Sequence, residues 1–149
     1  MTERPDKRAI ASWAFYDFAN TIFSMNVISL YFALWVTVDH GGQDILYSIA
    51  LSGSMLAVAI SAPVFGTISD QTGRRRFPLI LLTIISVFAT ALIGQASQLW
   101  IGLLLFVIAN YCYQSALVFY NGMLPSVARQ SNVGMISGYG VALGYIGSI

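Results

Sequence analysis

The stretch Gly66-Thr67-Ile68-Ser69-Asp70-Gln71-Thr72-Gly73-Arg74-Arg75-Arg76 separates two long apolar runs in this 149-residue sequence. It places an acid, a glycine and three consecutive arginines on one connector, which is too short to hold a domain. Because almost everything on either side is apolar, we interpret the stretch as a polar loop between two membrane-spanning helices.

The composition supports a membrane protein. Hydrophobic residues make up 57% of the chain and charged residues only 9%, whereas a soluble domain carries about 25% charged residues. A helix needs about 20 mostly apolar residues to cross the hydrocarbon core. The apolar runs lie at residues 10–38, 45–69, 77–97, 99–124 and 134–149.

The predicted fold class is therefore an all-α membrane protein, with four transmembrane helices plus the start of a fifth. The fifth run is short, and the sequence stops inside it without a charged residue. One interpretation is a four-helix protein with an apolar tail. We favour the other, in which residues 1–149 are the incomplete N-terminal transmembrane half of a longer protein.

The basic residues predict the orientation. They fall in the N-terminal tail, in the second-to-third connector and in the fourth-to-fifth connector; they are Arg4, Lys7, Arg8, Arg74, Arg75, Arg76 and Arg129. The other two connectors, 39–44 and 95–98, have none. With four crossings all basic segments lie on one side, which the positive-inside rule makes the cytoplasm. The net charge of +1 suggests no nucleic-acid partner.

Nothing in the sequence suggests an enzyme, a metal site or a cofactor. Cys112 is the single cysteine and His40 the single histidine, and His40 falls in a connector. A membrane enzyme would need a nucleophile with a base, or a metal cluster, within the spans. We therefore expect neither catalytic residues nor a cofactor.

Polar residues form stripes on two of the predicted helices. Asp17 is the only formally charged residue inside a run. At 100° per residue it shares one stripe of the first helix with Trp13, Asn20, Thr21, Ser24 and Tyr31. On the fourth helix Asn110, Gln114 and Asn121 lie within a narrow arc. Asp17 would lie about 10 Å into the membrane, at a depth similar to that of Gln114 and Asn121.

Two interpretations of these stripes compete. Amides and hydroxyls often hydrogen-bond between membrane helices, and Asp17 could be an interfacial residue that reaches toward the cytoplasm. We favour a water-filled path because the stripes run along the helices and one contains an acid. The predicted cavity-lining residues are Asp17, Asn20, Ser24, Asn110, Gln114 and Asn121.

Glycines and prolines predict where the helices end and how the fifth run packs. Gly73 can adopt the left-handed conformation that ends the second helix, Pro78 suits the first turn of the third, and Pro125 should end the fourth. The fifth run carries Gly134, Gly138, Gly140, Gly144 and Gly147. Glycines at this spacing let another helix approach closely, either for tight packing or for sliding.

The pattern Gly66-xxx-Asp70-xx-Gly73-Arg74-Arg75 resembles the signature between the second and third helices of the major facilitator superfamily. Three further segments, 12–20, 119–125 and 136–147, make the chain similar to the vacuolar amino-acid effluxers associated with autophagy and their bacterial relatives. The resemblance implies twelve helices in two six-helix halves, with helices one and four lining a central cavity. This chain would supply somewhat more than four of the twelve.

The resemblance also implies a function. It indicates a secondary transporter that moves a small polar solute, amino acids included, by alternating access. Its partners would be that solute, the lipid bilayer and the missing C-terminal half. The membrane would be the plasma (inner) membrane in a bacterium or the vacuolar membrane in a fungus.

The loop would serve as the gate. Gly66 would allow close approach of a helix from the missing half, and Asp70 would sit at the N-terminus of that helix. Gly73 would turn the loop, and Arg74 and Arg75 would anchor it at the cytoplasmic surface.

The chain departs from the superfamily pattern at several positions. Gln71 stands where many members have arginine, the fourth helix lacks an arginine often linked to proton coupling, and Tyr145 replaces a proline of drug antiporters. These departures argue against proton antiport of drugs. Three other classes stay open: a small dimeric four-helix exporter, a membrane enzyme and a non-transporting membrane assembly subunit.

Overall fold

The structure is a computed structural model that describes residues 7–127 and 133–147. Over these residues the chain forms five long helices and no strand. Helix α1 covers residues 7–39, and the others are α2 (Asp44–Thr72), α3 (Arg76–Ile93), α4 (Leu99–Val127) and α5 (Val133–Gly147). In this part of the chain α1, α2, α3 and α4 are long and apolar enough to span a membrane. The predicted fold class is confirmed.

Helix α1 departs from a regular α-helix. It is α-helical over Lys7–Ile22, π-helical over Phe23–Tyr31, α-helical again over Phe32–Leu34 and π-helical over Trp35–Asp39. In a π-helix each N–H bonds five residues back, which widens the turn and reduces the rotation per residue. The 100° period therefore holds only to Ile22. It cannot place Ser24 and Tyr31 on the stripe of Asp17.

Glycine sets the end of α2, as predicted. Gly73 has a φ of 63°, and its N–H donates to the carbonyl of Ser69 over 3.1 Å. This left-handed residue closes the last turn at no steric cost. Helix α2 therefore runs to Thr72, three residues beyond the predicted end at 69. Pro78 is the third residue of α3, within the first turn, where its missing N–H costs nothing.

Two further helix ends differ from the prediction. Helix α3 stops at Ile93, before the predicted end at 97, and Gly94 opens a turn in which the N–H of Gln95 donates to the carbonyl of Leu92 over 3.1 Å. Helix α4 continues to Val127, past Pro125. A proline in a last turn removes one hydrogen bond, to the carbonyl four residues back. The carbonyl four residues before Pro125 belongs to Asn121, which is exposed.

Residues 1–6, 128–132 and 148–149 lie outside the described part, and Arg4 and Arg129 of the predicted charge partition are among them. The contacts group the chain into two compact units, one within Met1–Tyr31 and Met123–Ile149 and the other within Phe32–Gly122.

In the second unit the core is made by the end of α1, α2 and α4. Phe32 and Phe106 stack with ring centroids 3.9 Å apart and planes within 2°. Phe106 and Val36 are fully buried. Helix α3 buries Leu79, Ala89 and Ile93 and exposes other apolar residues, among them Phe77 and Phe88, which suits a helix with one side toward lipid.

In the first unit the N-terminal part of α1 packs against α5. Trp13 and Ala14 are buried on α1, and Gly140 and Gly144 are buried on α5. Trp13 lies opposite Gly140, and Thr21 lies opposite Gly144. Because the numbering rises in the same direction along both helices, α1 and α5 run parallel. If every helix crosses the membrane completely, successive helices alternate in direction, so the first and the fifth must run parallel.

Candidate functional site: a loop clamp and an intramembrane acid

The loop after α2 holds a cluster that we call the Arg75 clamp, formed by Ser69, Asp70, Arg75 and Gly122. Arg75 Nε donates to Ser69 Oγ over 2.9 Å, and Nη2 donates to Asp70 Oδ1 over 3.0 Å. Nη1 donates to the backbone carbonyl of Gly122 on α4. One guanidinium thus joins the end of α2 to α4, using the fork of donors that distinguishes arginine from lysine.

The side chains of the Arg75 clamp differ in their exposure to solvent. Ser69 is 3% exposed, whereas the side chain of Asp70 is 77% exposed and that of Arg75 is 23% exposed. The ion pair therefore faces solvent, where its contribution to stability is small. The bonds of Arg75 to Ser69 and Gly122 are the sheltered ones.

Glycine at position 122 brings α4 close to the loop. A Cβ added there would lie 3.4 Å from Ser69 Oγ and 3.5 Å from Arg75 Nε. These are ordinary van der Waals distances, so a methyl group at position 122 would contact the clamp without displacing it. Ser69 and Gly122 were not among the predicted gating residues. The signal that could have indicated Ser69 is its position next to Asp70, as a small polar residue in the last turn of an apolar helix.

The clamp contains some of the predicted gating residues and not others. Asp70 and Arg75 bond directly, and Gly73 provides the turn between them. Arg74 is exposed, and its backbone N–H lies 3.3 Å from Thr72 Oγ1. A Cβ at Gly66 would meet nothing within 4 Å, so the described residues leave open space there.

The intramembrane acid lies on α1. Asp17 is half-buried, and its carboxylate approaches α5. A Cβ at Gly140 would lie 3.4 Å from Asp17 Oδ2, and one at Gly144 would lie 3.5 Å from the same oxygen. The sequence predicted close packing by the fifth-helix glycines, but it did not connect them with Asp17.

The neighbours of Asp17 on α1 are polar as well. Thr21 Oγ1 donates to the backbone carbonyl of Asp17 over 3.0 Å. Asn20 is buried, at 9% exposure. Ser24 is half-buried, and its carbonyl accepts a bond from Ser29 Oγ over 3.0 Å, five residues further along the π-helical segment.

On α4 the predicted polar residues differ in their surroundings. Asn110 is fully buried, and its Nδ2 donates to Ser54 Oγ on α2 over 2.7 Å. Its Oδ1 is buried without a hydrogen-bond partner within the described residues. Gln114 is half-buried and Asn121 is exposed. Asn110 therefore makes an interhelical hydrogen bond, the role that the alternative interpretation assigns to such amides.

A further α2–α4 bond lies about two turns along α2 from Ser54. Tyr111 Oη donates to Ser61 Oγ over 3.1 Å. Helix α3 is joined to α4 in a similar way, because Ser86 Oγ donates to the carbonyl of Ala109 over 2.9 Å. The hydroxyls of the second and third spans thus provide hydrogen bonds between helices of the second unit.

An aromatic cluster lies at the C-terminal end of α1. The Trp35 ring packs against Gly102 so closely that a Cβ there would overlap Cη2 and Cζ3 of the indole. The His40 ring tilts over Trp35 with centroids 3.9 Å apart. His40 therefore packs in this cluster, a contact that its isolated position in the sequence did not suggest. Among residues 7–127 and 133–147 no three His, Cys, Asp or Glu side chains gather as a metal site.

Four long apolar helices joined by short loops define an integral, multi-pass membrane protein. A family model described as vacuole effluxer Atg22 like matches residues 44–135, more than half of the chain. The chain belongs to that family. The resemblance found in its motifs is thereby confirmed.

Two relatives are similar to almost the whole chain. One, from Aquifex aeolicus strain VF5, is described as an uncharacterized protein; it is 31% identical over 151 residues, which cover 99% of this chain and 39% of that protein. The other is described as the uncharacterized MFS-type transporter YxiO of Bacillus subtilis strain 168; it is 31% identical over 148 residues, which cover 92% of this chain and 34% of that protein. No solved structure matches the chain.

Proposed function

We propose that the full-length protein is a secondary transporter that moves a small polar solute, amino acids included, by alternating access. The observation that carries the proposal is the half-buried Asp17, held against α5 in a chain of the vacuole effluxer Atg22 like family. A buried acid is costly in a membrane and usually marks a substrate or proton path. In this proposal Asp17 binds either a proton or an amino group.

The proposed cavity is lined by polar residues of the first and fourth helices. Besides Asp17 these are Asn20, Ser24, Asn110, Gln114 and Asn121. At 1.5 Å per residue the sequence would place Gln114 and Asn121 at depths similar to that of Asp17, which supports the proposal. The apolar runs at 10–38, 45–69, 77–97 and 99–124 contain no basic residue, so the carboxylate of an amino-acid substrate would be bound by residues beyond this chain.

The proposed gate is the loop after α2, on the cytoplasmic side. Asp70 keeps an exposed carboxylate next to Arg75, and an exposed carboxylate can accept backbone N–H groups at a helix N-terminus. The open space at Gly66 would admit the backbone of such a helix. The two halves of the transporter would then rock about a central site.

The alternatives receive less support. Both relatives are much longer than the segment they share with this chain, which disfavours a small dimeric four-helix exporter. A non-transporting assembly subunit would have no need of an acid within the apolar part of α1. In addition, the name of the Bacillus subtilis relative is that of a transporter. The family also gives no support to an enzyme.

The test is transport by the purified full-length protein in lipid vesicles. Asp17→Asn should abolish or uncouple uptake while expression and thermal stability stay close to those of the unmodified protein. The matched control is Asn26→Ala, because the Asn26 amide bonds only back to the carbonyl of Ile22 over 3.0 Å. Unchanged transport by Asp17→Asn would remove Asp17 from the mechanism.

A further inference from the structure

The three consecutive arginines after α2 differ in what they contact. Arg75 uses its guanidinium for the three bonds of the Arg75 clamp. Arg74 and Arg76 are exposed, and neither side chain makes a hydrogen bond or an ion pair with any residue in 7–127 or 133–147. Two guanidinium groups of the loop therefore have no partner in the part of the chain that the structure describes.

The acid of the loop does not offset these two charges. Asp70 Oδ1 lies 3.0 Å from Arg75 Nη2, so this carboxylate is paired with the arginine of the clamp. The stretch 66–76 contains no other acid. The loop therefore presents the positive charges of Arg74 and Arg76 to its surroundings.

The length of α3 places these charges at the membrane surface. Helix α3 begins at Arg76 and has 18 residues, which at 1.5 Å per residue span about 27 Å. The hydrocarbon core is about 30 Å thick. A helix that only just crosses the core has its first residue at the level of the lipid phosphate groups. The N-cap residue of α3, Arg75, makes no side-chain cap bond, so the first N–H groups also favour an anion there.

An exposed apolar face of α3 begins at Arg76. Ile80 and Ile84 follow at intervals of four residues and Val87 three residues later, so they share one side of the helix. Their side chains are 57%, 48% and 60% exposed. Ser86, which bonds to α4, is buried on another side of α3. The two guanidinium groups thus lie at the head of an apolar surface that runs into the bilayer.

We propose that Arg74 and Arg76 bind the phosphate of an anionic phospholipid, and that an acyl chain of this lipid lies along the face of Ile80, Ile84 and Val87. Guanidinium groups bind phosphate through charge-assisted bonds. The apolar face favours a lipid over free phosphate, because only a lipid carries an acyl chain next to its phosphate. A headgroup with a net negative charge is favoured over a choline headgroup, because the acid of the loop is already paired.

This lipid site goes beyond the proposed function. It depends neither on transport nor on which side of the membrane is the cytoplasm.

The test is binding of phosphatidylglycerol to purified full-length protein in detergent, with phosphatidylcholine of the same acyl chains as the competing lipid. Native mass spectrometry counts the complexes with each lipid. A basic residue near an anionic membrane surface contributes about fivefold in affinity. Arg74→Gln and Arg76→Gln should therefore each lower the preference for phosphatidylglycerol by roughly fivefold, and the double variant by roughly 25-fold. Thermal stability should stay that of the unmodified protein, because both side chains are exposed.

The control for net charge is Arg4→Gln/Lys7→Gln, which removes the same charge from the N-terminal tail. This variant should keep the preference for phosphatidylglycerol. An equal loss in the control, or an unchanged preference in Arg74→Gln/Arg76→Gln, overturns the inference.

The source of the phosphate is tested by competition. Inorganic phosphate and glycerol 3-phosphate, which lack acyl chains, should displace no more phosphatidylglycerol than sodium chloride of the same ionic strength. Displacement by either anion beyond that of the salt would assign the two arginines to a free phosphate and overturn the lipid site.

Discussion

Replacement of Arg75 tests whether the loop clamp joins α2 to α4. Arg75→Ala removes three hydrogen bonds, to Ser69, to Asp70 and to the carbonyl of Gly122. The pair with Asp70 is exposed and should contribute no more than about 1 kcal/mol. A bond from a charged donor to a sheltered acceptor contributes about 1.5–3 kcal/mol. After the entropy of holding the long side chain is subtracted, we expect a loss of about 2–4 kcal/mol.

The assay is the unfolding free energy of full-length protein in detergent, measured with a double-mutant cycle. The coupling energy between Arg75→Ala and Ser69→Ala should exceed that between Arg75→Ala and Asp70→Asn. Arg75→Lys should recover less than half of the loss, because one ammonium group cannot reach all three acceptors. The control is Arg74→Ala, which lies in the same loop with an exposed side chain.

Two results would refute this reasoning. If the coupling with Asp70 were the larger one, the clamp would act as a surface ion pair. If Arg74→Ala cost as much as Arg75→Ala, loop charge rather than the three bonds would explain the loss.

Asp70 is expected to affect the balance of conformations more than stability. In full-length protein Asp70→Asn should slow transport and change accessibility from the two sides, while equilibrium substrate binding is nearly kept. A bias of about 1.4 kcal/mol shifts such an equilibrium tenfold. Loss of binding with unchanged accessibility would instead assign Asp70 to the substrate site.

Two further predictions concern orientation and packing. Single cysteines introduced at Gln43 and Gln98 should react with a membrane-impermeant reagent from outside, and one at Thr72 should not. The reason is that basic residues mark the cytoplasmic side. The reverse pattern would invert the proposed topology. Gly102→Ala should destabilise the full-length protein by about 1–3 kcal/mol, because the new methyl group would overlap the indole of Trp35. A methyl group at Gly53 would meet nothing within 4 Å, so Gly53→Ala should be tolerated. Equal thermal midpoints for the two variants would contradict the predicted overlap.

The sequence predicted the helices because membrane spans leave a strong signal. Each needs a long apolar run, and a single residue such as Gly73 can fix an end through its backbone conformation. The end at Pro125 was misjudged because a proline in a last turn loses only one hydrogen bond. The π-helical segments of α1 were not predicted, since an i→i+5 bonding pattern leaves no mark on apolar composition.

The site was predicted less completely because its contacts join distant parts of the chain. Asp70 and Arg75 are close in sequence, but the acceptor Gly122 is 47 residues from Arg75. The polar arc of α4 singled out Asn110, whereas its partner Ser54 is one of several hydroxyls on α2 with no distinguishing feature. The glycines of α5 were recognised as a packing stripe, but periodicity on one helix cannot identify the residue that it contacts.

The parallel packing of α1 against α5 also affects how the protein is made. Gly140 follows Asp17 by 123 residues, so the acid leaves the ribosome long before the backbone that it contacts. At 5–20 residues per second the delay is roughly 6–25 s. During that interval three further spans are inserted, and the first helix must hold an acid in the bilayer without α5 beside it. Mutations at Gly140 or Gly144 would therefore affect the late assembly of the protein and leave the early insertion of α1 unchanged.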